Sequence, residues 1–200
     1  MFTSELCKVR HCNRLAWSDV DYCPEHHPDR NGYAQSVYNR IAGSGTVIEQ
    51  QNWCDIDLTG LEISGKLFRN CCFSSSRFNG ANLHDIQFFT CMLDKIEAED
   101  CRFNSVQMLS THAAGSLFSR SRFTDCDLIN VNFNGIKAVS AVFEESDLYG
   151  SRFIESDITN ASFSDCNLTA ADFTGLDLEN VFFDEVNLEE ANMTSGYCCR

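Results

Sequence analysis

The residues best suited to chemistry are three cysteines and a histidine near the N-terminus: Cys7, Cys12, Cys23 and His26. Four residues separate the first two cysteines, ten separate the second from the third, and two separate the third from the histidine. Two close ligand pairs of this kind suit tetrahedral zinc, which binds thiolate sulfur and imidazole nitrogen. The spacing therefore predicts a Cys₃His zinc site, in which His27 or His11 could replace His26.

We expect this zinc to be structural, because four protein ligands leave no open coordination position. The segment holds too few apolar residues for a core of its own, and a bound metal can supply the missing folding energy. Its spacing also resembles that of short zinc knuckles, which bind nucleic acid or protein. Whether the unit is only a cap or also a recognition module stays open.

No group of residues in the sequence has the spacing of a catalytic site. Outside the cluster the histidines are His84 and His112, and the sequence has no glycine-rich phosphate loop and no nucleophile motif. A single histidine between repeats is usually a solvated residue. We therefore expect the protein not to be an enzyme.

A short helix should follow the zinc unit. Tyr33, Val37 and Ile41 recur at four-residue spacing, and Gly43 suits a C-cap, so the pattern predicts a helix over residues 33–42. Both prolines of the chain lie before this segment, at Pro24 and Pro28. The composition break predicts a zinc-binding and capping unit over residues 1–45 and a second domain over residues 46–200.

The second domain repeats every five residues, a period that neither an α-helix nor a simple strand produces. From Leu58 to Met193, Leu or Phe fills 21 of the 28 positions spaced by five. A second track, two residues earlier, is mostly small or β-branched and includes Cys71, Cys91, Cys101, Cys126 and Cys166. Cysteines on this track should be small buried hydrophobes, which argues against a disulfide scaffold. Cys54 and Cys72 lie off the track and should face outward.

The segments ANLHD (81–85), SDLYG (146–150), CNLTA (166–170) and ADFTG (171–175) resemble the pentapeptide-repeat family, whose loose consensus is A-(D/N)-(L/F)-x-x. The resemblance implies an all-β, right-handed quadrilateral β-helix with four pentapeptides in each coil. Twenty-eight repeats would make seven coils, a rod roughly 34 Å long at the usual strand spacing.

The chain is strongly acidic, with a formal net charge of −14. This charge disfavours direct binding to nucleic acid or an anionic membrane and favours a basic protein partner. In the expected fold, residues twenty apart stack along the rod. The first acidic column comprises Asp85, Ser105, Asp125, Glu145, Asp165 and Glu185. The second acidic column comprises Gln87, Gln107, Asp127, Asp147, Asn167 and Asn187.

The seven carboxylates of the two columns are the candidate partner-binding residues. Stacked like charges about 5 Å apart cost stability, so their retention suggests a role in binding. The alternative is that Asp and Asn are present because they suit turns through bonds from side chain to backbone.

The family resemblance also implies a specific hypothesis. Members of the quinolone-resistance group are dimeric acidic rods that resemble B-form DNA and bind DNA gyrase or topoisomerase IV. The unbroken register here lacks the projecting loops that many of those members use. Three hypotheses follow: a non-enzymatic scaffold that binds an unknown basic protein, a DNA mimic that acts on a type II topoisomerase, and a zinc-dependent nucleic-acid binder.

Two further expectations concern assembly and location. The sequence shows no cap after the last repeat, so we expect a homodimer through the C-terminal coil. It has neither 18 consecutive apolar residues nor a secretory h-region, so we expect a cytoplasmic protein.

Overall fold

The computed structural model describes residues 5–43 and 45–193. In these residues one helix, α1 (Arg30–Gly43), precedes nine short strands. The strands are β1 (Val47–Glu49), β2 (Glu62–Arg69), β3 (Asn82–Phe89), β4 (Arg102–Asn104), β5 (Gln107–Leu109), β6 (Arg122–Thr124), β7 (Val142–Glu144), β8 (Ser162–Ser164) and β9 (Phe182–Asp184).

All nine strands belong to one parallel sheet in which each residue pairs with the residue twenty positions later. Phe103 pairs with Phe123, and Phe163 pairs with Phe183. Three further ladders of bridges follow the same rule, beginning at Asn52, Asp57 and Gln107. Four ladders within each twenty residues define a coil with four sides. The β-helix of about seven coils that the five-residue period predicts is confirmed.

The corners of the coil explain the polar residues that separate the apolar ones. Almost every fifth residue from Gln50 to Glu190 has a φ between 49° and 81°. This left-handed region is open to Gly and is tolerated by Asn and Asp, but it is unfavourable for most other side chains. The first acidic column lies on one such corner, where Glu145 has a φ of 49°.

The core is a set of apolar columns inside the coil. Phe103, Phe123, Phe143, Phe163 and Phe183 stack with ring centroids 4.4–5.3 Å apart. Large and small residues complement each other in the neighbouring column, where the fully buried Phe118 lies between Ala98 and Ala138 on adjacent coils. Such offset and edge-to-face ring contacts stabilise the core beyond the area they bury.

The buried cysteines share their track with serine and threonine, and all three side chains make the same contact. Most of them donate a hydrogen bond to the carbonyl group 23 positions earlier, although Ser146 donates to Glu144 O instead. Examples are Cys101 Sγ to Phe78 O at 2.9 Å and Ser121 Oγ to Ala98 O at 2.6 Å. At these positions the small side chain fills the track and also donates a hydrogen bond, whereas Ala161 and Val106 on the same track only fill space.

Three details of the sequence prediction need correction. Cys72 is buried, with 5% of its surface exposed, and Cys54 is half-buried against the core, so neither faces water freely. Both lie in the coils nearest the N-terminal unit, where Trp17 Nε1 donates a hydrogen bond to the Cys54 carbonyl at 2.5 Å. The helix also begins earlier than residue 33, because Asp29 Oδ1 accepts a hydrogen bond from the Gly32 amide at 2.8 Å and forms its N-cap.

No helix within the described residues is long and apolar enough to cross a membrane.

Candidate functional sites

Asn52 connects the N-terminal unit to the first coil through two hydrogen bonds. The Asn52 side chain is almost fully buried and donates to the Ala16 carbonyl at 2.6 Å, while its backbone amide donates to Ser18 Oγ at 2.7 Å. Ala34, Val37 and Ile41 of α1 are buried in the same core cluster as the rod. The helix therefore packs against the open edge of the first coil.

The structure brings the four candidate metal ligands together. Their ligand atoms all lie within 4.8 Å of one another, and no other such group occurs in the described residues. His26 Nδ1 is 3.3 Å from Cys23 Sγ and 3.6 Å from Cys7 Sγ, and the Sγ atoms of Cys12 and Cys23 are 3.9 Å apart. Tetrahedral zinc, with bonds of about 2.0–2.3 Å, sets ligand atoms about 3.5–3.8 Å apart. The four residues fit a tetrahedral metal ion of this size.

The other two candidate histidines lie outside the cluster. His27 Nδ1 accepts a hydrogen bond from the Asp29 amide at 3.2 Å. The His27 ring packs 5.5 Å from Trp17 and 5.2 Å from Tyr33, measured between centroids. The position of His26 follows from the turn after Cys23, whose carbonyl accepts the His26 amide at 3.0 Å.

The two most buried thiols of the cluster have pKa values shifted in opposite directions. Burial acts to raise the pKa of Cys7, but hydrogen bonds with the backbones of Cys23 and Val9 and with His26 bring it down to about 6. Burial raises the pKa of Cys23. A thiol with a pKa near 6 is largely thiolate at neutral pH, which is the form that binds metals.

The basic side chains of the N-terminal unit are largely engaged in ion pairs. Lys8 Nζ lies 2.7 Å from Asp21 Oδ1, and Arg14 Nη1 lies 2.6 Å from Glu25 Oε1. Arg30 pairs with Asp55 of the rod at 3.1 Å. These pairs neutralise the cations that a nucleic-acid phosphate would need.

The structure places the two acidic columns side by side, where they line a shallow groove. The carboxylates of the first column are exposed at the corner. Asp127 and Asp147 of the second column are half-buried on the adjoining side and face each other in a parallel bridge. Ser105 Oγ donates to Asp125 Oδ2 at 2.8 Å, and Asn167 Nδ2 donates to Asp147 Oδ1 at 2.9 Å.

The carboxylates of the two columns have no cationic partner, whereas several other acids of the rod are paired with arginine. Elsewhere on the rod, Arg120 binds Asp100 through two 2.8 Å hydrogen bonds, and Arg77 binds Asp57 at 2.9 Å. In the described residues, no salt bridge involves any of the seven carboxylates of the two columns. The negative charge on this part of the surface is therefore not neutralised within the protein.

Hydrogen bonds within the turns explain why Asp or Asn occurs at these positions, but they do not require a negative charge. Asp147 Oδ1 accepts a hydrogen bond from the amide two residues later at 3.0 Å, and Asn167 Oδ1 makes the equivalent bond one coil further at 3.1 Å. An uncharged Asn therefore serves the turn as well as Asp. At the corner, Glu145 and Glu185 occupy left-handed backbone that suits Gly or Asn better.

The two remaining histidines lie on different ladders. His84 pairs with Ser64 and Asn104 in the sheet, and His112 forms bridges with Met92 and Asn132. In the part of the chain that the structure describes, neither imidazole makes a side-chain hydrogen bond.

Apolar residues also repeat every twenty positions on the side of the rod that carries the second acidic column. Phe89, Leu109, Ile129 and Tyr149 follow two residues after successive members of the second acidic column and point outward. We call these four residues the apolar column. The spacing of twenty is visible in the sequence from Phe89 onward. The apolar column was not predicted, because these four residues belong neither to the inward apolar track nor to the carboxylates.

Comparison with known proteins supports the fold. Residues 116–193 match the family model of the pentapeptide repeat region, so the resemblance to pentapeptide-repeat proteins is confirmed. A trypsin-treated variant of QnrB1, a plasmid-mediated fluoroquinolone resistance protein, is 21% identical with a TM-score of 0.66, covering 79% of this chain and 87% of that one. Full-length QnrB1 is 22% identical with a TM-score of 0.55, covering 80% and 88%. At this identity the likeness shows a shared fold. Comparison with curated protein sequences gives no match.

Proposed function

We propose that the protein is a non-enzymatic interaction scaffold whose rod binds a basic protein partner along the two acidic columns. The observation that carries this proposal is the alignment of seven carboxylates without a cationic partner on two adjacent columns, on a rod where Asp57 and Asp100 are paired with arginine. Neighbouring like charges destabilise the free protein, and a basic partner would relieve that repulsion.

Affinity capture at increasing salt concentration tests the proposal. We expect the double variant Asp125→Lys/Glu145→Lys to lose the proteins that the wild type captures, and we expect salt to weaken that capture. The control is Glu155→Lys/Glu190→Lys, which makes the same charge change at two other left-handed corners. Lys95 holds the same left-handed corner three coils before Glu155, so the backbone accepts lysine there. Equal capture by the test and control variants would contradict the proposal.

A type II topoisomerase is a second candidate partner. It is favoured by the fold that the chain shares with QnrB1 over most of both chains and by the unpaired acidic columns. In this hypothesis the carboxylates occupy a basic groove that normally holds DNA phosphates. A gyrase supercoiling assay with added protein tests it: an effect that is lost in Asp125→Lys/Glu145→Lys supports mimicry, and no effect of the wild type argues against it.

We also propose that the Cys₃His cluster binds zinc as a structural element. The support is the fit of four ligand atoms to a tetrahedron and the attachment of the same unit to the first coil through Asn52. When bound, zinc would fix the two turns that carry its ligands. The ion-paired state of Lys8, Arg14 and Arg30 disfavours the third hypothesis, a zinc-dependent nucleic-acid binder. A gel-shift assay with DNA at low salt should show no complex.

Assembly as a homodimer through the C-terminal coil is part of the proposal. Phe183, Leu188 and Met193 of that coil are only partly buried, whereas Phe163, Leu168 and Phe173 of the preceding coil are fully buried. Pairing two copies would cover these side chains. Size-exclusion chromatography with light scattering should give twice the mass of one chain, and the mass of one chain would contradict it. We propose the cytoplasm as the location.

A further inference from the structure

Three of the exposed large apolar side chains of the described rod lie in the apolar column. Phe89 is 43% exposed, Leu109 is 38% exposed and Tyr149 is 44% exposed, while Ile129 between them is half-buried. Phe89 and Leu109 are direct partners in the sheet, and the two later residues hold the same place on the next two coils. Four apolar side chains therefore form a continuous stripe parallel to the rod axis.

The rod itself does not require apolar residues at this position. Thr169 and Glu189 hold the same place on the following coils, so the backbone accepts polar side chains there. Side chains of this size at the surface lose the free energy that burial of their apolar area would provide. An aligned set of them marks an interaction surface more often than scattered ones do.

The apolar column shares one side of the rod with the second acidic column. Gln107 and Leu109 both point outward from the same side, two residues apart, which is about 7 Å along a strand. The first acidic column forms the corner that borders this side. A ligand lying along the rod would therefore meet a negatively charged stripe and an apolar stripe in parallel.

From this pairing of stripes we propose that this side binds a basic amphipathic helix of the partner protein, with the helix axis parallel to the rod. Successive coils are about 4.8 Å apart, close to the 5.4 Å pitch of a helix. Apolar side chains on successive helical turns can contact the apolar column while lysine or arginine on the adjoining face meets the carboxylates. This inference rests on the proposed function and specifies the chemistry of its partner.

Binding of synthetic peptides, followed by fluorescence anisotropy, tests the proposal. One labelled 18-residue peptide carries lysine on one helical face and leucine on the adjoining face, and a second has the same composition in an order that mixes the two faces. We expect the wild type to bind the amphipathic peptide at least about tenfold more tightly than the mixed one. The triple variant Phe89→Thr/Leu109→Thr/Tyr149→Thr should lose this preference and keep the weak, salt-sensitive binding of both peptides.

The control variant is Met92→Thr/Phe182→Thr, which removes two exposed apolar side chains from other sides of the rod. It should keep the preference. If the triple variant does not fold, the single variant Leu109→Thr should show part of the same loss.

The outcomes separate this inference from the proposed function. A triple variant that keeps the full preference would overturn the helix-binding site while leaving charge-based binding in place. Peptide binding that does not weaken in Asp125→Lys/Glu145→Lys would overturn both.

Discussion

Asp127 and Asp147 face each other in a parallel bridge between adjacent coils, and no cation of the described residues pairs with either one. The amide of Asn167 on the next coil donates to Asp147 at 2.9 Å and offsets part of the charge there. Within the described range 45–193, Asp127 receives no such bond from the next coil, and each of the two has a corner carboxylate, Asp125 or Glu145, two residues before it. The free protein therefore holds several negative charges in one place at a cost to its stability.

Neutralising one of these charges should stabilise the rod. We expect Asp127→Asn to raise the free energy of unfolding by roughly 0.2–1 kcal/mol at low salt, with a smaller gain at high salt. Asparagine keeps the oxygen that accepts the Ile129 amide at 3.4 Å, so the turn is preserved. Urea unfolding at two salt concentrations measures the effect.

The control for that substitution is Asp100→Asn, which removes a carboxylate that is bound by Arg120. It should give no gain in stability. A loss of stability in Asp127→Asn would show that the stacked carboxylates do not repel each other significantly.

The core should be sensitive to removal of a single ring. Phe118 lies between Ala98 and Ala138, so Phe118→Ala would leave three alanines in succession and a cavity that its small neighbours cannot fill. We expect a loss of about 3–5 kcal/mol in the free energy of unfolding. Phe182→Ala is the control, because Phe182 is 62% exposed, and it should change stability little. Equal effects in the two variants would contradict the inward packing of the five-residue track.

The metal site makes a prediction that distinguishes two adjacent histidines. His26→Ala should reduce bound zinc, measured by elemental analysis of the purified protein, because Nδ1 of His26 would be the fourth ligand of the proposed site. His27→Ala should keep the metal, since that ring packs on Trp17 and Tyr33. Full zinc content in His26→Ala, or zinc loss only in His27→Ala, would show that the ligand assignment is wrong.

The buried thiols should make the protein less stable in alkali. Burial raises the pKa of Cys101 and Cys166 to about 11 and that of Cys126 to about 12. In the unfolded chain these thiols ionise near pH 8.5, so the stability they contribute is present below that pH and is lost as the pH rises toward 11. We expect the free energy of unfolding to fall across this window.

The triple variant Cys101→Ala/Cys126→Ala/Cys166→Ala should show a smaller decrease over the same window than the wild type. Alanine is a suitable replacement because Ala161 already holds the same track position. An identical pH dependence in the wild type and the triple variant would exclude these thiols as its source.

Most of the fold was predictable because one backbone geometry repeats. The five-residue period fixes which side chains point inward, and adding twenty to a residue number gives its neighbour on the next coil. By that rule Gln107, Asp127, Asp147, Asn167 and Asn187 become neighbours on successive coils, as the structure shows. It failed for Cys72, whose burial depends on contacts that the repeat does not encode. It also missed the N-cap at Asp29 and the pairing of Arg77 and Arg120 with acids of the preceding coil, because these depend on individual side chains.

The candidate metal site was predictable in its residue types but not in its fourth ligand. Spacing alone allowed His11, His26 or His27. The local turn after Cys23 places His26 in the cluster, and His27 is held outside it by packing on Trp17, a contact that ligand spacing does not encode.

Site-specific photo-crosslinking in cells tests the central claim, that the side bearing the acidic columns binds a protein. A photoreactive residue at Gln107 lies on that side, and one at Leu117 lies on the opposite side of the same coil. The account predicts that a defined protein is crosslinked from position 107 but not from position 117, and that the product disappears in Asp125→Lys/Glu145→Lys. Equal crosslinking from both positions, or a product that persists in the charge variant, would contradict it.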